Sequence, residues 1–452
     1  MPRDSAAAPS PKVHGLRNNY NLSRQQYEDA LGLIDRVEQS YRAAPAYVAR
    51  RGLDPDIHFP GNEWKDMVAV EGRSFHRGYP DINLLRLHAP FAGFHMAILD
   101  RLDSRLHAQP DLDAFYIEAA GKGFPDDIAE TFSARVDPAL RLAKTLGLYG
   151  TEIGSAQELA QQLENVPARY AVRTPRAFGE IGLELGGFLA NPDSVLAQAR
   201  LNAMLSGGVL AKMEGDVRRR GRVRVLEIGP GYGALGQALH GIFGDALEYV
   251  AVDLPAVLYY SSVYLGTLQA GRDNLVLLPG DSVPEHFGNV FVGNYLLEEF
   301  EEALGPIDVA INTMSFTEMS EVQVRFYAET VKRMLRPDGL VFEENHANRP
   351  HHTDSKKVLA EVFPYRKSVS SDVVRTKIGV NDIWSKTYLP EVFDCSDHAL
   401  RLAAGNAVAA DHRLATVRHP REGRIDLGER SMIFVGIGIG VVILALLFQQ
   451  TL

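Results

Sequence analysis

Cysteine is almost missing from this chain: one residue, Cys395, in 452. That excludes an intramolecular disulfide framework and a cysteine-rich zinc site, and it fits a reducing compartment. Positive charge is also short. There are 47 Lys and Arg against 57 Asp and Glu, a net charge of −10. A nucleic-acid binder needs clustered Lys and Arg for phosphate contacts, so this balance argues against one. Apolar runs are short as far as residue 431, which excludes a polytopic membrane protein. No apolar core of a secretory signal occurs near the N-terminus. No internal repeat is visible. The overall mix, 46% hydrophobic and 23% charged, excludes a wholly disordered chain and a collagen.

The chain divides by pattern. Residues 1–20 carry no periodicity and read as a disordered leader. Ser23 and Gln26 have capping-box spacing, and Tyr27, Leu31, Ile34, Val37 and Tyr41 then form one apolar stripe. Further helical runs are expected at 128–147, 156–165 and 193–213, so 21–220 reads as a helical N-terminal domain. From Val223 the pattern changes. Short apolar runs at 223–228, 248–252, 275–279, 307–312 and 339–343 alternate with helical stretches, which predicts an α/β domain with a parallel sheet over 221–389. Residues 390–431 read as a polar linker.

The first strand of that domain leads into Glu227-Ile228-Gly229-Pro230-Gly231-Tyr232-Gly233, followed by a helical stretch from Ala234. Alternate glycines allow a tight turn and close backbone approach to a ligand, at the place where open α/β sheets bind ligands. Gly229, Gly231 and Ala234 also fit the loose dinucleotide pattern, with Asp253 at the distance of a ribose-binding acid. Glu227 discriminates between the two cofactor classes. Dinucleotide folds usually bury an apolar residue there, whereas an acid suits a cofactor with an ammonium group and no phosphates.

With those residues the sequence resembles the class I S-adenosylmethionine-dependent methyltransferases. The resemblance implies a Rossmann-like domain and S-adenosyl-L-methionine as cofactor. It assigns the methionine part to Glu227, Gly229, Gly231 and Gly233, the ribose hydroxyls to Asp253 beside Leu254, and the adenine edge to Asp281 beside Ser282. Asp253-Leu254-Pro255 and Gly280-Asp281 are similar to motifs of small-molecule O-methyltransferases. Those enzymes add a helical N-terminal domain that dimerises, so a homodimer is one implied assembly. They also place a catalytic histidine after the fourth strand, and this chain has none there. It has Asn312 and then Ser315-Phe316-Thr317-Glu318-Met319, similar to the sugar O-methyltransferase family. Gly179-Glu180-Ile181-Gly182 and Asn191-Pro192-Asp193 are also similar to that family. The implied acceptor is a sugar or glycan hydroxyl. The alternatives are an aromatic or polyketide hydroxyl, or a non-catalytic cofactor-binding scaffold.

A weakly acidic hydroxyl needs a general base. Glu318, past the fourth strand, and His346, past the fifth, are the two candidates, the second because an imidazole titrates near neutral pH. Asn312 could orient the cofactor. His346, His351, His352 and Asp354 lack a defined ligand spacing, so no metal site is read from them. The acidic run Glu298–Glu302 reads as a solvated helix face.

Met432 to Phe448 has no polar or charged side chain. As a helix it spans about 25 Å, near the lower limit for crossing a bilayer. Arg421, Arg424 and Arg430 precede it, which would hold the catalytic domains on the cytoplasmic side. Residues 432–450 therefore read as a single C-terminal transmembrane anchor.

Overall fold

The computed structural model describes residues 12–14, 18–61, 64, 75–87, 166–180, 182–346, 353–369 and 388–394. The runs at 128–147 and 156–165 and the segment 432–450 lie outside the described residues. Among the described residues, no helix is long and apolar enough to cross a membrane.

The strands are β1 (Lys12–His14), β2 (Gly182–Leu185), β3 (Phe188–Ala190), β4 (Val223–Ile228), β5 (Leu247–Asp253), β6 (Asn274–Val276), β7 (Asn289–Gly293), β8 (Ile307–Thr313), β9 (Leu335–His346), β10 (Tyr365–Ser368) and β11 (Tyr388–Asp394). Eight of them form one sheet in the order β10-β11-β9-β8-β4-β5-β7-β6. The pairs from β9 across to β6 are parallel, and only β11 runs antiparallel to its neighbours. β4 is the first strand of this sheet in chain order, with β5 on one side and β8 on the other. The winding direction therefore reverses beside β4, and the crevice at its carboxyl end is where such sheets bind ligands.

Burial explains why the central strands were legible. Every residue of β7 and β8 is buried, as expected of parallel strands covered by helices on both faces. Two apolar layers result, one on each side of the sheet.

The helix Arg24–Arg51 starts at the expected capping box, with Ser23 accepting from the Gln26 amide. It buries Tyr27, Ile34 and Val37, while Leu31 and Tyr41 are only half-buried. This helix belongs to the same core as the sheet. Its Leu33 packs on the helix Leu258–Leu268 so closely that a Cβ on Gly266 would lie 2.4 Å from it. The region read as helical also contains β2 and β3, which form a small antiparallel sheet with β1 from the segment read as a disordered leader. The helices Pro192–Ser206 and Val209–Arg220 account for the expected run at 193–213.

Two sequence expectations need correction. The α/β domain does not end at Leu389, because β11 continues to Asp394 between β9 and β10. Its alternating pattern was too short to stand out from its polar flanks. Between the expected second and third strands lies another, β7, so the run at 275–279 supplies only a short edge strand, β6.

Phe393 is fully buried and packs on Phe363, ring centroids 6.1 Å apart. Phe393→Ala should therefore destabilise the fold by about 3–5 kcal/mol in urea unfolding. A linker residue would show no measurable change.

Candidate functional site

The loop after β4 is pinned at both ends and open in its middle. The Gly229 amide donates to Val252 O at 2.8 Å. A Cβ on Gly229 would lie 2.3 Å from Ser315 Oγ, in the turn after β8, and its φ is +68°. Gly233, at φ +95°, would meet Leu265 at 2.8 Å. Gly231 also has positive φ, +57°, but has no atom within 4 Å of its Cβ position. The outer two glycines are required by packing, and the middle one leaves space for a ligand.

Two acids border that opening. Glu227 is in register with Ala251, two residues before Asp253, so both side chains stand on one face of the sheet. Glu227 is buried and accepts a hydrogen bond from the Tyr249 hydroxyl. Burial pushes its carboxyl up to about 7, against the lowering effects of Tyr249 and the Arg200 cation. Asp253 accepts from the Leu254 amide at 2.8 Å and from the Gly231 amide. Enclosure of its carboxyl pushes it up to about 7. The two amides oppose the shift, and the Glu227 and Glu318 charges add to it. Asp253 therefore ties the β5 end directly to the glycine loop.

Glu318 ends a short turn, Phe316–Glu318. It is exposed and accepts from the Trp64 indole N–H at 2.9 Å. Its charge adds a small upward push to the Asp253 carboxyl. His346 is the last residue of β9, opposite Tyr388, and its side chain lies outside the described atoms. Glu344, two residues earlier on β9, pairs with Arg200, Nε to Oε1 3.2 Å.

Three expected cofactor contacts are placed differently. Asp281 accepts from the Leu278 amide at 2.8 Å and is bound by the Arg36 guanidinium. It follows the edge strand β6, with β7 between it and β5. The strand end beside Asp253 is instead Gly293, followed by Asn294. Ser282 is exposed on the same edge turn. Asn312 is fully engaged within the protein. Its amide donates to Ile228 O at 2.9 Å and Ser315 Oγ at 2.6 Å. Its carbonyl accepts from the Phe316 amide at 3.2 Å and the Asn345 amide at 2.8 Å. All four of its hydrogen-bonding positions are used within the protein, so it clamps the β8 turn.

One residue that supports the loop was not legible. Arg86 is fully buried and lies over the Tyr232 ring, 3.7 Å from its centroid. It donates to Glu180 at 2.9 Å and Asp193 at 2.8 Å, while Asn191 donates to Glu180 at 2.6 Å. The motifs around Glu180 and Asn191–Asp193 thus converge on one cation that backs the glycine loop. Removing one member of such a buried ionic cluster costs about 3–5 kcal/mol. The motifs were visible in the sequence, but their shared partner, about 100 residues upstream, was not.

The sheet order and the glycine loop between β4 and its helix make this a Rossmann-like α/β fold with its crevice at the carboxyl end of β4. No protein-family model and no curated protein matches the chain. Solved structures do match. One is a protein from Nostoc punctiforme PCC 73102 described as an O-methyltransferase, at 11% identity over 44% of this chain and 59% of that one, TM-score 0.28. A spermidine synthase bound to a transition-state analogue matches at 13% identity over 49% of this chain and 64% of that one, TM-score 0.27. The O-methyltransferase TomG from Streptomyces achromogenes, solved with S-adenosylmethionine, matches at 12% identity over 44% and 79%, TM-score 0.27. The chain spans 59% and 64% of the length of the first two. Such distant likenesses assign no activity.

The acids of the site carry a stability cost with a defined sign. The carboxyl of Asp253 titrates at about 7 in the fold against 3.8 ordinarily. The stability linked to its protonated form is complete below pH about 4 and is lost as pH rises through about 7. Asp253→Asn should therefore raise the melting temperature of the ligand-free protein more at pH 8 than at pH 5, by roughly 2–4 °C for each kcal/mol recovered. An equal change at both pH values in a thermal scan would show that the carboxyl is not strained.

Proposed function

We propose that this chain is an S-adenosylmethionine-dependent O-methyltransferase, acting on a hydroxyl of a sugar or glycosylated molecule and held at the cytoplasmic membrane face by residues 432–450. The observation that carries the cofactor reading is the pair Glu227 and Asp253 on one sheet face, beside a glycine loop open at Gly231. Two carboxylates there repel a pyrophosphate. They suit a ligand that brings an ammonium group and ribose hydroxyls. Asp253 can accept from both hydroxyls through its remaining lone pairs, and Glu227 faces the charged end.

When bound, the cofactor supplies a methyl group on a sulfonium, an already activated leaving group. The protein's part is to align the acceptor oxygen with that methyl carbon and to take the hydroxyl proton. We assign the second task to Glu318. It stands near Asp253 at the same carboxyl edge, and Trp64 holds its orientation at 2.9 Å. Glu318 would take the acceptor O–H proton on a carboxylate oxygen. The sugar acceptor is supported by the segment Ser315–Met319 and by the Glu180 and Asp193 motifs, which resemble the sugar O-methyltransferase family. His346, at the end of β9, is the second candidate base.

Calorimetry should show binding of S-adenosylhomocysteine that Asp253→Ala weakens about 10- to 100-fold, the loss of charge-assisted hydrogen bonds. Methyl transfer onto a panel of glycans and aromatic alcohols should fall about 10²- to 10⁴-fold in Glu318→Gln. Unchanged affinity in the first assay would reject the cofactor, and unchanged turnover in the second would reject the base. The anchor predicts that the full chain sediments with membranes, while a chain ending at Glu429 stays in the supernatant.

A further inference from the structure

The sheet face away from Glu227 holds a buried charged pair whose bonds lead to the turn that carries Glu318. Ile228, Asn312, Glu343 and Glu391 stand side by side across β4, β8, β9 and β11. Asn345, two residues past Glu343, shares its face, and both are fully buried. Lys356 comes from the helix Ser355–Val362. It places Nζ 2.6 Å from Glu343 Oε1, with its side chain 8% exposed. Taking two charges out of water is costly, and apolar groups of the same volume often serve a fold as well. Stability alone therefore does not account for the pair.

An ionised carboxylate only accepts hydrogen bonds, so it fixes the sense of whatever bonds to it. Asn345 turns its amide nitrogen to Glu343 Oε2, at 2.7 Å. The same nitrogen donates to Asn312 Oδ1 at 2.8 Å. Asn345 Oδ1 is left to accept from the Thr317 amide at 3.3 Å. Asn312 then points its own amide nitrogen at Ile228 O and Ser315 Oγ. Reversing the Asn345 amide would set its oxygen against the oxygens of Glu343 and Asn312. The sense set at Glu343 thus reaches the root of the glycine loop on one side and Thr317, the neighbour of Glu318, on the other. Thr353, just before the helix of Lys356, holds the same turn. Its hydroxyl donates to Met319 O at 2.5 Å and its amide to Thr317 O at 3.3 Å. Both residues that flank Glu318 are therefore fixed from this face.

We infer that Glu343 and Lys356 are positioning residues: their buried ion pair sets the orientation of Asn345 and Asn312, and so holds the Glu318 turn in place beside the glycine loop. Burial pushes the Glu343 carboxyl up, Lys356 opposes that push, and Glu391 of β11 adds to it. Lys356 thus keeps the carboxylate in the form that only accepts. The inference rests on the reading of Glu318 as the base and extends it to what aligns that base. The placement of the turn can also be read without turnover, because Trp64 bonds Glu318 at 2.9 Å. A pair that served stability alone would change the melting temperature and leave the surroundings of Trp64 as they are.

The test uses the full chain with Trp384→Phe, which leaves Trp64 as the one emitter of the chain's two tryptophans. Glu318→Ala removes the partner of the indole and gives the reference shift in Trp64 emission. Glu343→Leu combined with Lys356→Met replaces the ion pair by apolar groups of similar size. This double variant should melt within about 5 °C of its parent and still shift Trp64 emission toward the reference. Its kcat, with an acceptor from the panel of glycans and aromatic alcohols, should fall about 10- to 100-fold. Its affinity for S-adenosylhomocysteine should stay within about threefold. Glu343→Gln, nearly isosteric, can donate as well as accept; it should give the same shift and serves if the double variant does not fold. Unchanged Trp64 emission in a folded variant would overturn the inference, whatever happens to turnover. Loss of folding in both variants would assign the pair to stability and overturn it too. An emission shift with full turnover would uphold the placement of the turn and reject Glu318 as the base.

Discussion

A charge buried away from water must be paired, and in this protein that requirement joins the N-terminal segments to the ligand loop. Arg86 is fully enclosed, so Glu180 and Asp193 have to come to it. Meeting that demand brings the segment before β2 and the start of the helix Pro192–Ser206 to one point. The same guanidinium then covers the Tyr232 ring, which sits between Gly231 and Gly233. The loop's geometry thus depends on residues far from it in sequence. The helix that begins at this cluster also carries Arg200 to the carboxyl edge of the sheet.

The site stores a second tension. Glu227 and Asp253 are both enclosed enough to titrate at about 7, although their ordinary values lie near 4. Near neutral pH this opposes folding of the ligand-free protein, because ionised carboxylates are held where water is scarce. Packing around them leaves no slack: Gly229 against Ser315 and Gly233 against Leu265 admit no side chain.

Much of the fold was legible where one face or both were consistently apolar. β4 was read with its observed bounds, β5 and β8 within one residue at each end, and the first helix at its start, since buried parallel strands and capped helices leave strong patterns. β7 was passed over because its five residues, Asn289–Gly293, lie between stretches with no clear helical period. β11 was assigned to a linker because its pairing with β9 is a long-range event that short local alternation does not announce. At the site, Asp253 and the glycines stood out because their chemistry needs those residue types at strand ends. Asp281 looked equivalent and is not, for the intervening strand moves it to the sheet edge, where Arg36 binds it. Asn312 serves as a turn clamp, since four neighbours within the protein use its amide, a role no local pattern announces.

The sequence by itself determined that a parallel sheet with a glycine loop after its first strand would form, and that an acid would stand two residues before that loop. Local backbone sterics and the periodicity of apolar residues suffice for both. Only the tertiary structure decided which acids share a face, which polar groups are consumed by the fold, and which cations lie against them. Those are questions of register and burial between distant segments. Arg86 and Lys356 show this most clearly. Each is an unremarked cation in the sequence, and each takes its role from the carboxylates that folding brings beside it.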